Sequence, residues 1–255
     1  GSTGGGKAGD REKGSQFGQD MWLFFNVFKY WPMQNRRGYY VDSGANDAVK
    51  ISNSLFFDIC LGWDGLCVEP MAMYHPDIKR HRSCKLVPQC ISDKEETVSF
   101  MHRTTGSRMR YGQEKTKGAK LSEVRCRPLS QMLLEHRNVT VDLWSLDVEG
   151  HELTVLRGTD FGATPVNTIL IENSHINQCI ADKILTDAQY YKYQQLIIDG
   201  VYVKQGFSVV NKPDALWFHA GFRAQFEKER ALDVQRTLDT PHFFPPENQK
   251  PCQYA

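Results

Sequence analysis

Apolar positions along the chain follow two alternating rhythms. Short, nearly continuous apolar runs read as buried strands: "GYYVDSG" near residue 40, "GLCVEP" near 67, "CKLVPQCISD" from 84, "TVSFMHR" from 97, "VDLWSLDVEG" from 141 and "VNTILIENS" from 166. Between them, apolar residues recur at helical spacing. "MWLFFNVFKYW" belongs to a helix over about 17–31 that ends near Pro32. "ISNSLFFDICLG" places Ile51, Leu55, Phe56, Ile59 and Cys60 on one helical face. "YHPDIKRHR" is a polar helix, "PLSQMLLEHR" a helix after Pro128, and "HELTVLRG" a helix with Gly158 as C-cap. "DAQYYKYQQLIIDG" reads as a helix ending at Gly200, and "VYVKQGFSVV" and "ALWFHA" as a closing antiparallel pair at one sheet edge.

Strand and helix in alternation predict an α/β fold, a mostly parallel sheet covered on both faces. Residues 1–16 read as a flexible leader, partly an expression scar, and are set aside. Residues 17–37 form an N-terminal helix, 38–220 the main domain, and 221–255 a charged helix (about 222–238) with a Pro-rich tail. No internal repeat is present. Ligands of such sheets bind beyond the carboxyl ends of the strands, so those ends are where chemistry is expected.

Composition narrows the picture. Of 255 residues, 40% are hydrophobic, enough for a substantial core. The 31 basic and 30 acidic residues give a net charge of +1, which argues against general nucleic-acid binding. The longest strongly apolar stretch is far short of the roughly 20 residues that span a bilayer. Seven cysteines form no CxxC pair, which disfavours a zinc ribbon; most read as small core residues, and one at least is unpaired within the chain. In a lumenal protein, disulfides among Cys84, Cys90 and Cys126 become an option. "NVT" at 138–140 is an N-glycosylation sequon, so both a cytoplasmic and a secretory-route location stay open.

The strand ends are unusually acidic. The first ends at Asp42, the second at Glu69, the third at Ser92 and Asp93, and later ones at Asp147 with Glu149 and at Glu172 with Asn173. Carboxylates repeated along one edge of an apolar sheet need water, donors or a cation. Gly44, followed by Ala45 and Asn46, permits a tight turn and close approach of a ligand to the backbone. Glu69, followed by Pro70, fits an acid that grips two vicinal ribose hydroxyls. The pattern suggests a nucleoside-containing ligand. GxGxxG and GxxxxGK[ST] are both absent, which disfavours a dinucleotide and a P-loop nucleotide.

The stretches "VDSGANDAVKISNSLFF" with "GWDGLCVEP", "ISD" at 91–93, "VDLWSLDVEGHELTVLRG" and "GVYVKQGFSVVNKPDALWF" resemble, in order and spacing, the FkbM-type family of S-adenosylmethionine-dependent methyltransferases. The resemblance covers roughly residues 38–218. It implies a Rossmann-like class I methyltransferase fold, a seven-stranded mostly parallel sheet with an antiparallel edge strand and helices on both faces. It implies S-adenosylmethionine as the donor. Asp42, Gly44, Ala45 and Asn46 would shape the pocket for its methionine end, Glu69 and Pro70 would hold the ribose, Ser92 and Asp93 would lie beside the adenine, and Asp147 near the sulfonium. Two departures stand out: Ala48 where the family has Gly, and "EPMA" with Met71 where it more usually has "EPNP".

A hydroxyl acceptor must lose a proton, and "DVEGHE" supplies candidates. Asp147 and Glu149 share a side if the strand persists that far, and His151, with an ordinary pKa of about 6.5, is the expected base. Glu172 joins this catalytic set, while Glu152 and Arg157 read as surface or capping residues. Asp147, Glu172 and Asn173 also offer oxygen ligands of the kind magnesium uses. The basic loop at 104–120 is a solvated connection or a lid. The expected acceptor is a hydroxyl of a glycan, lipid or small metabolite. An RNA-directed enzyme, disfavoured by charge and by the lack of a Lys-Asp-Lys-Glu arrangement, and a non-catalytic cofactor-binding protein are the alternatives.

Overall fold

The computed structural model describes residues 14–101, 108–109 (backbone) and 121–209. Among the described residues the strands in chain order are β1 (Tyr39–Ser43), β2 (Asp64–Val68), β3 (Lys85–Val87), β4 (Cys90–Ile91), β5 (Glu96–Met101), β6 (Arg108–Met109), β7 (Leu121–Arg127), β8 (Val141–Leu146), β9 (Val166–Glu172), β10 (Tyr190–Gln195) and β11 (Asp199–Lys204). The α-helices are α1 (Gln19–Leu23), α2 (His75–His81), α3 (Leu129–His136), α4 (Glu152–Gly158) and α5 (Gln178–Asp187). Seven strands form the main sheet in the order β10-β11-β9-β8-β1-β2-β3. Only β11 runs against its neighbours, pairing antiparallel with both β9 and β10, so the antiparallel strand lies one place in from the edge. This is the α/β, Rossmann-like sheet that the alternation predicts.

One face is covered by an aromatic layer. The first helix continues past α1 as a wider-wound turn at Phe24–Phe28, and a second such turn spans Phe56–Cys60. Phe28 meets Trp63 edge-on at 4.9 Å and Phe57 at 5.5 Å, and Trp31 stacks on Trp63 at 5.4 Å. Such pairs add about 0.5–1.5 kcal/mol each beyond their area burial. The opposite face is closed by α3, α4 and α5 through Leu129, Met132, Val155, Leu156, Ala181 and Leu185. The last residues of the predicted leader are tied in: Gly14 exchanges backbone hydrogen bonds with Val49 and Ser52.

Several elements differ from the sequence reading. The run "CKLVPQC" is two strands in two sheets, because Pro88 lacks an N–H and ends β3, after which the chain leaves the main sheet. β4, β5, β6 and β7 form a separate four-stranded sheet, in the order β4-β7-β5-β6. β7 was not expected at all, although Val124 and Cys126 are buried at alternate positions between exposed ones. The predicted helix at 187–200 is instead the end of α5 followed by β10 and the turn into β11. "YYKYQQ" is aromatic-rich and suited to a pleated surface, and a bulge at Lys192/Gln194 disguises its period of two. The expected antiparallel hairpin therefore exists, but residues 190–204 build it. Gly200 is a strand residue against the Tyr202 ring, where a Cβ would lie 2.7 Å away. Gly158 is no left-handed cap; its bare Cα lets α4 approach the backbone of Asp93, 2.1 Å from where a Cβ would sit.

The cysteines are also not mainly isolated core residues. Cys67 is bonded to Cys84 and Cys90 to Cys126, with Cα separations of 5.7 and 4.4 Å. Cys60 is disulfide-bonded as well, and Cys179 is free and exposed. Among the described residues no helix is long and apolar enough to cross a membrane. The strand predicted at "ALWFHA", the helix at 222–238 and most of the basic loop at 104–120 lie outside the described residues.

Candidate functional site

A cleft of about 720 Å³, counting the open water at its mouth, lies past the carboxyl ends of β1, β2 and β8. β1 sits between β2 and β8, so its exit turn is the centre of the site. Backbone hydrogen bonds stitch the three ends together: Gly44 N–H donates to the Val68 carbonyl and Asp147 N–H to that of Ser43. Gly44 has φ 81°, and a Cβ there would lie 1.9 Å from the Asp147 carbonyl oxygen. Only glycine satisfies both constraints. Asn46, Ile51 and Glu149 line the cleft with φ of 45°, 60° and 57°. Such backbone costs about 1–3 kcal/mol per residue, and it clusters where a site needs it. For Ile51, β-branched and exposed, the conformation is a genuine outlier.

Glu69 is the best-defined acid of the cleft. It follows β2 and is 3% exposed. Its two carboxylate oxygens accept the N–H groups of Met71 at 2.7 Å and Asn46 at 2.8 Å, which fixes the carboxylate plane. Burial pushes its carboxyl up to about 7, against the opposing pull of the Met71 and Asn46 amides and with a smaller push from Asp42. Pro70, Met71 and Tyr74 continue the wall, and Cys90, Ile91 and Phe100 bring the small sheet to the opposite side. The Cys90–Cys126 bond thus anchors one wall of the cleft.

Asp147, Glu149 and His151 line the cleft too. β8 ends at Leu146, so the strand does not persist; Asp147 and Glu149 are brought together by a turn with Gly150 at φ 96°. His151 Nε2 lies 3.3 Å from Ser92 Oγ, which itself donates to Glu96 at 2.9 Å. Burial lowers the His151 pKa, and Asp93 and Glu96 offset this in part. His175 Nε2 is 4.0 Å from Glu149.

Other expected residues lie elsewhere. Asp42 is not among the residues lining the cleft. Its carboxylate accepts Ser54 Oγ–H at 2.5 Å and lies 3.5 Å from Nη1 of Arg82. Arg82, 7% exposed, also donates to Asp58 at 2.7 Å, to Tyr40 at 3.2 Å and to Ser54. Burial works against this guanidinium's charge, but Tyr40, Asp42 and Asp58 outweigh it and hold it protonated. Ala45 is buried in the aromatic core. Ser92 lies beneath His151, and Asp93 is exposed and meets Gly158 through its backbone. Asn173 pairs its amide reciprocally with Gln195 at 3.2–3.3 Å and so is committed there rather than beside Asp147.

Glu172 lies outside the cleft lining, yet it meets Asp147. One carboxylate oxygen each from Asp147, Glu152 and Glu172 lie within 4.8 Å of one another. Burial raises the Asp147 carboxyl well above the usual range, with Glu172, Glu149 and Glu152 pushing the same way. Glu152 is no surface residue: it is fully buried, and one oxygen accepts Val148 N–H at 2.8 Å and Gly150 N–H at 3.1 Å. The sequence signal for it was its place at the start of α4, where acids serve as caps.

The residues matched by the family description "Methyltransferase FkbM domain" are 42–190, which run from the end of β1 to the start of β10 and form more than half of the chain. The chain belongs to the FkbM methyltransferase family. Methyltransferase function and the use of S-adenosylmethionine follow from that membership. No curated protein matches the chain. Both departures from the family pattern sit comfortably. The extra methyl of Ala48 is 1% exposed within the aromatic core, away from the cleft lining. Met71 lines the cleft, and its N–H serves Glu69 as a backbone group that any residue but proline supplies.

Proposed function

We propose that this protein transfers a methyl group from S-adenosylmethionine to a hydroxyl of a glycan, lipid or small metabolite. The observation that carries the donor site is the buried Glu69 carboxylate, held by two backbone N–H groups at the rim of the cleft. Glu69 takes the two ribose hydroxyls, and Pro70 and Met71 form the adjoining wall. Gly44 and Asn46 let the donor's amino-acid end lie against the exit of β1, and a sulfonium beside Asp147 would draw that carboxyl, raised by burial and its acidic neighbours, towards its ionised form. Ser92 and Asp93 act from behind, by seating His151 and the adenine side of the cleft. The donor supplies an electrophilic methyl group when bound.

The chain's own part is alignment and proton removal. Burial favours the neutral form of His151, which lines the cleft, so it would take the acceptor's hydroxyl proton as the oxygen–methyl bond forms and the donor's sulfur–methyl bond breaks, leaving a methyl ether, S-adenosylhomocysteine and an imidazolium. Glu149, which also lines the cleft, favours that imidazolium. The disulfides Cys67–Cys84 and Cys90–Cys126, with the exposed sequon residue Asn138 between α3 and β8, support a secretory-route or extracellular setting. Hydroxyl-rich glycans are abundant acceptors there.

Isothermal titration with S-adenosylhomocysteine tests the donor site. Wild type is expected to bind. Glu69→Ala removes two charge-assisted hydrogen bonds of about 1.5–3 kcal/mol each, a loss of at least about 100-fold. No binding to wild type, or equal binding to both, would sink the assignment. Tritiated methyl transfer to a glycan panel then reads the acceptor.

A further inference from the structure

Buried carboxylates without donors are expensive, and the described residues hold such a group beside the cleft. Glu152 is 0% exposed, and one of its two oxygens is buried with no hydrogen-bond partner. The same holds for Oδ1 of Asp147. Oxygens from these two residues and from Glu172 converge within 4.8 Å. The charged groups that most influence Asp147 are Glu172, Glu149 and Glu152, all acidic. The strongest charged influence on Glu152 is again Glu172. Unlike Asp42 and Asp58, this cluster has no guanidinium within it among the described residues.

Three acids of this kind need either shared protons or a cation. Oxygen ligands on opposite sides of a calcium ion are about 4.6–5.2 Å apart, and those of magnesium about 4.2 Å. Separations within 4.8 Å bring all three oxygens within reach of a single hard ion. The ligands come from three rigid places: the turn after β8, the first residue of α4 and the last residue of β9. Two backbone N–H groups fix Glu152, and Ser174 Oγ–H donates to Glu172 at 2.5 Å. The outer partners that hold a metal ligand in place are thus present.

We infer that Asp147, Glu152 and Glu172 form a binding site for one hard divalent cation in the wall of the cleft. The ligand set differs from the Asp147, Glu172 and Asn173 trio suggested by sequence, because Asn173 is taken by Gln195 and Glu152 replaces it. Asp147 belongs to both the cluster and the cleft lining, so an ion held there would reach the cleft through Asp147. An acceptor with adjacent hydroxyl or carboxyl oxygens suits such an ion. The ion site stands on its own geometry, and its failure would leave the donor-site titration untouched.

Manganese is the probe. Its free-ion paramagnetic resonance signal is titrated with the full chain in the absence of any donor. One saturable site below about 1 mM is expected, displaced by calcium. Glu152→Gln should weaken it at least 10-fold. Should that variant unfold, as judged by circular dichroism, Glu172→Gln at the strand end decides, with the same loss expected. No saturable binding to wild type would overturn the site in favour of shared protons. Equal binding to wild type and a folded variant would place the ion elsewhere and overturn it too.

Discussion

Two buried acidic groups flank the end of β1, and they are balanced differently. Asp42 and Asp58 converge on Arg82, whose guanidinium is bonded by Asp58 at 2.7 Å and lies 3.5 Å from Asp42, with Tyr40, Ser52 and Ser54 completing the network. On the neighbouring strand, Asp147 meets Glu152 and Glu172 and two of their oxygens have no donor. Asp42 and Asp147 stand at the ends of adjacent strands, β1 and β8. The first is neutralised inside the protein and reads as structural; the second waits for protons or for an ion from outside. What distinguishes a framework acid from a site acid here is the counter-charge, which comes from a helix end far away in sequence.

The largest effect should come from breaking the balanced side. Arg82→Met leaves Asp42 and Asp58 buried without a cation and should cost about 3–5 kcal/mol in urea unfolding. Glu152→Gln in metal-free buffer should change stability by less than about 1 kcal/mol, because the amide oxygen can keep the Val148 and Gly150 N–H groups while a charge with no cation beside it among the described residues is removed. Equal losses in the two variants would erase the distinction.

The next effect probes the turn that joins the two sides. Gly44→Ala places a methyl group 1.9 Å from the Asp147 carbonyl oxygen on a backbone at φ 81°. A loss of about 1–3 kcal/mol is expected, with weakened S-adenosylhomocysteine binding in the folded fraction. Unchanged melting and affinity would mean that the β1 and β8 ends are not locked together.

The smallest effect sharpens the role of Glu69. Its carboxyl is raised to about 7, so the free protein holds a proton there below that pH. For an acid with a raised pKa, folding stability falls as pH rises from the ordinary carboxylate range towards 7. Donor affinity runs the other way. Ribose hydroxyls need the ionised carboxylate, so affinity should drop as pH falls below about 7, approaching 10-fold per unit. A flat titration profile between pH 5.5 and 8, a range on the order of the raised pKa and its flanks, would remove Glu69 from the donor site.

Much of this was legible beforehand. The parallel strands, the Gly44 turn and the acids Glu69, Asp147 and Glu149 follow from local pattern: continuous apolar runs mark buried strands, and polar residues directly after them mark their ends. The small sheet was hidden because β4 has two residues, β7 has a single buried alternation, and their pairing joins distant segments. β10 was misread because a bulge breaks its alternation. The cysteines show the same limit. Their spacing names no pairs; Cys90 and Cys126 are 36 residues apart and meet only because β4 and β7 pair in that register.

The sequence by itself determined the class of fold, the edge of the sheet where the cleft opens, and the family. These depend on short-range periodicity and on motifs of consecutive residues. The tertiary structure alone decided which acids face the cleft. Asp42 and Glu69 look alike in sequence, yet Arg82, forty residues from Asp42, claims the first, while the backbone of Asn46 and Met71 presents the second. Glu152 and Asn173 exchanged their expected places for the same reason. A charge's role is set by what it meets in space, because electrostatic and hydrogen-bond energies fall off within a few ångströms and take no account of distance along the chain.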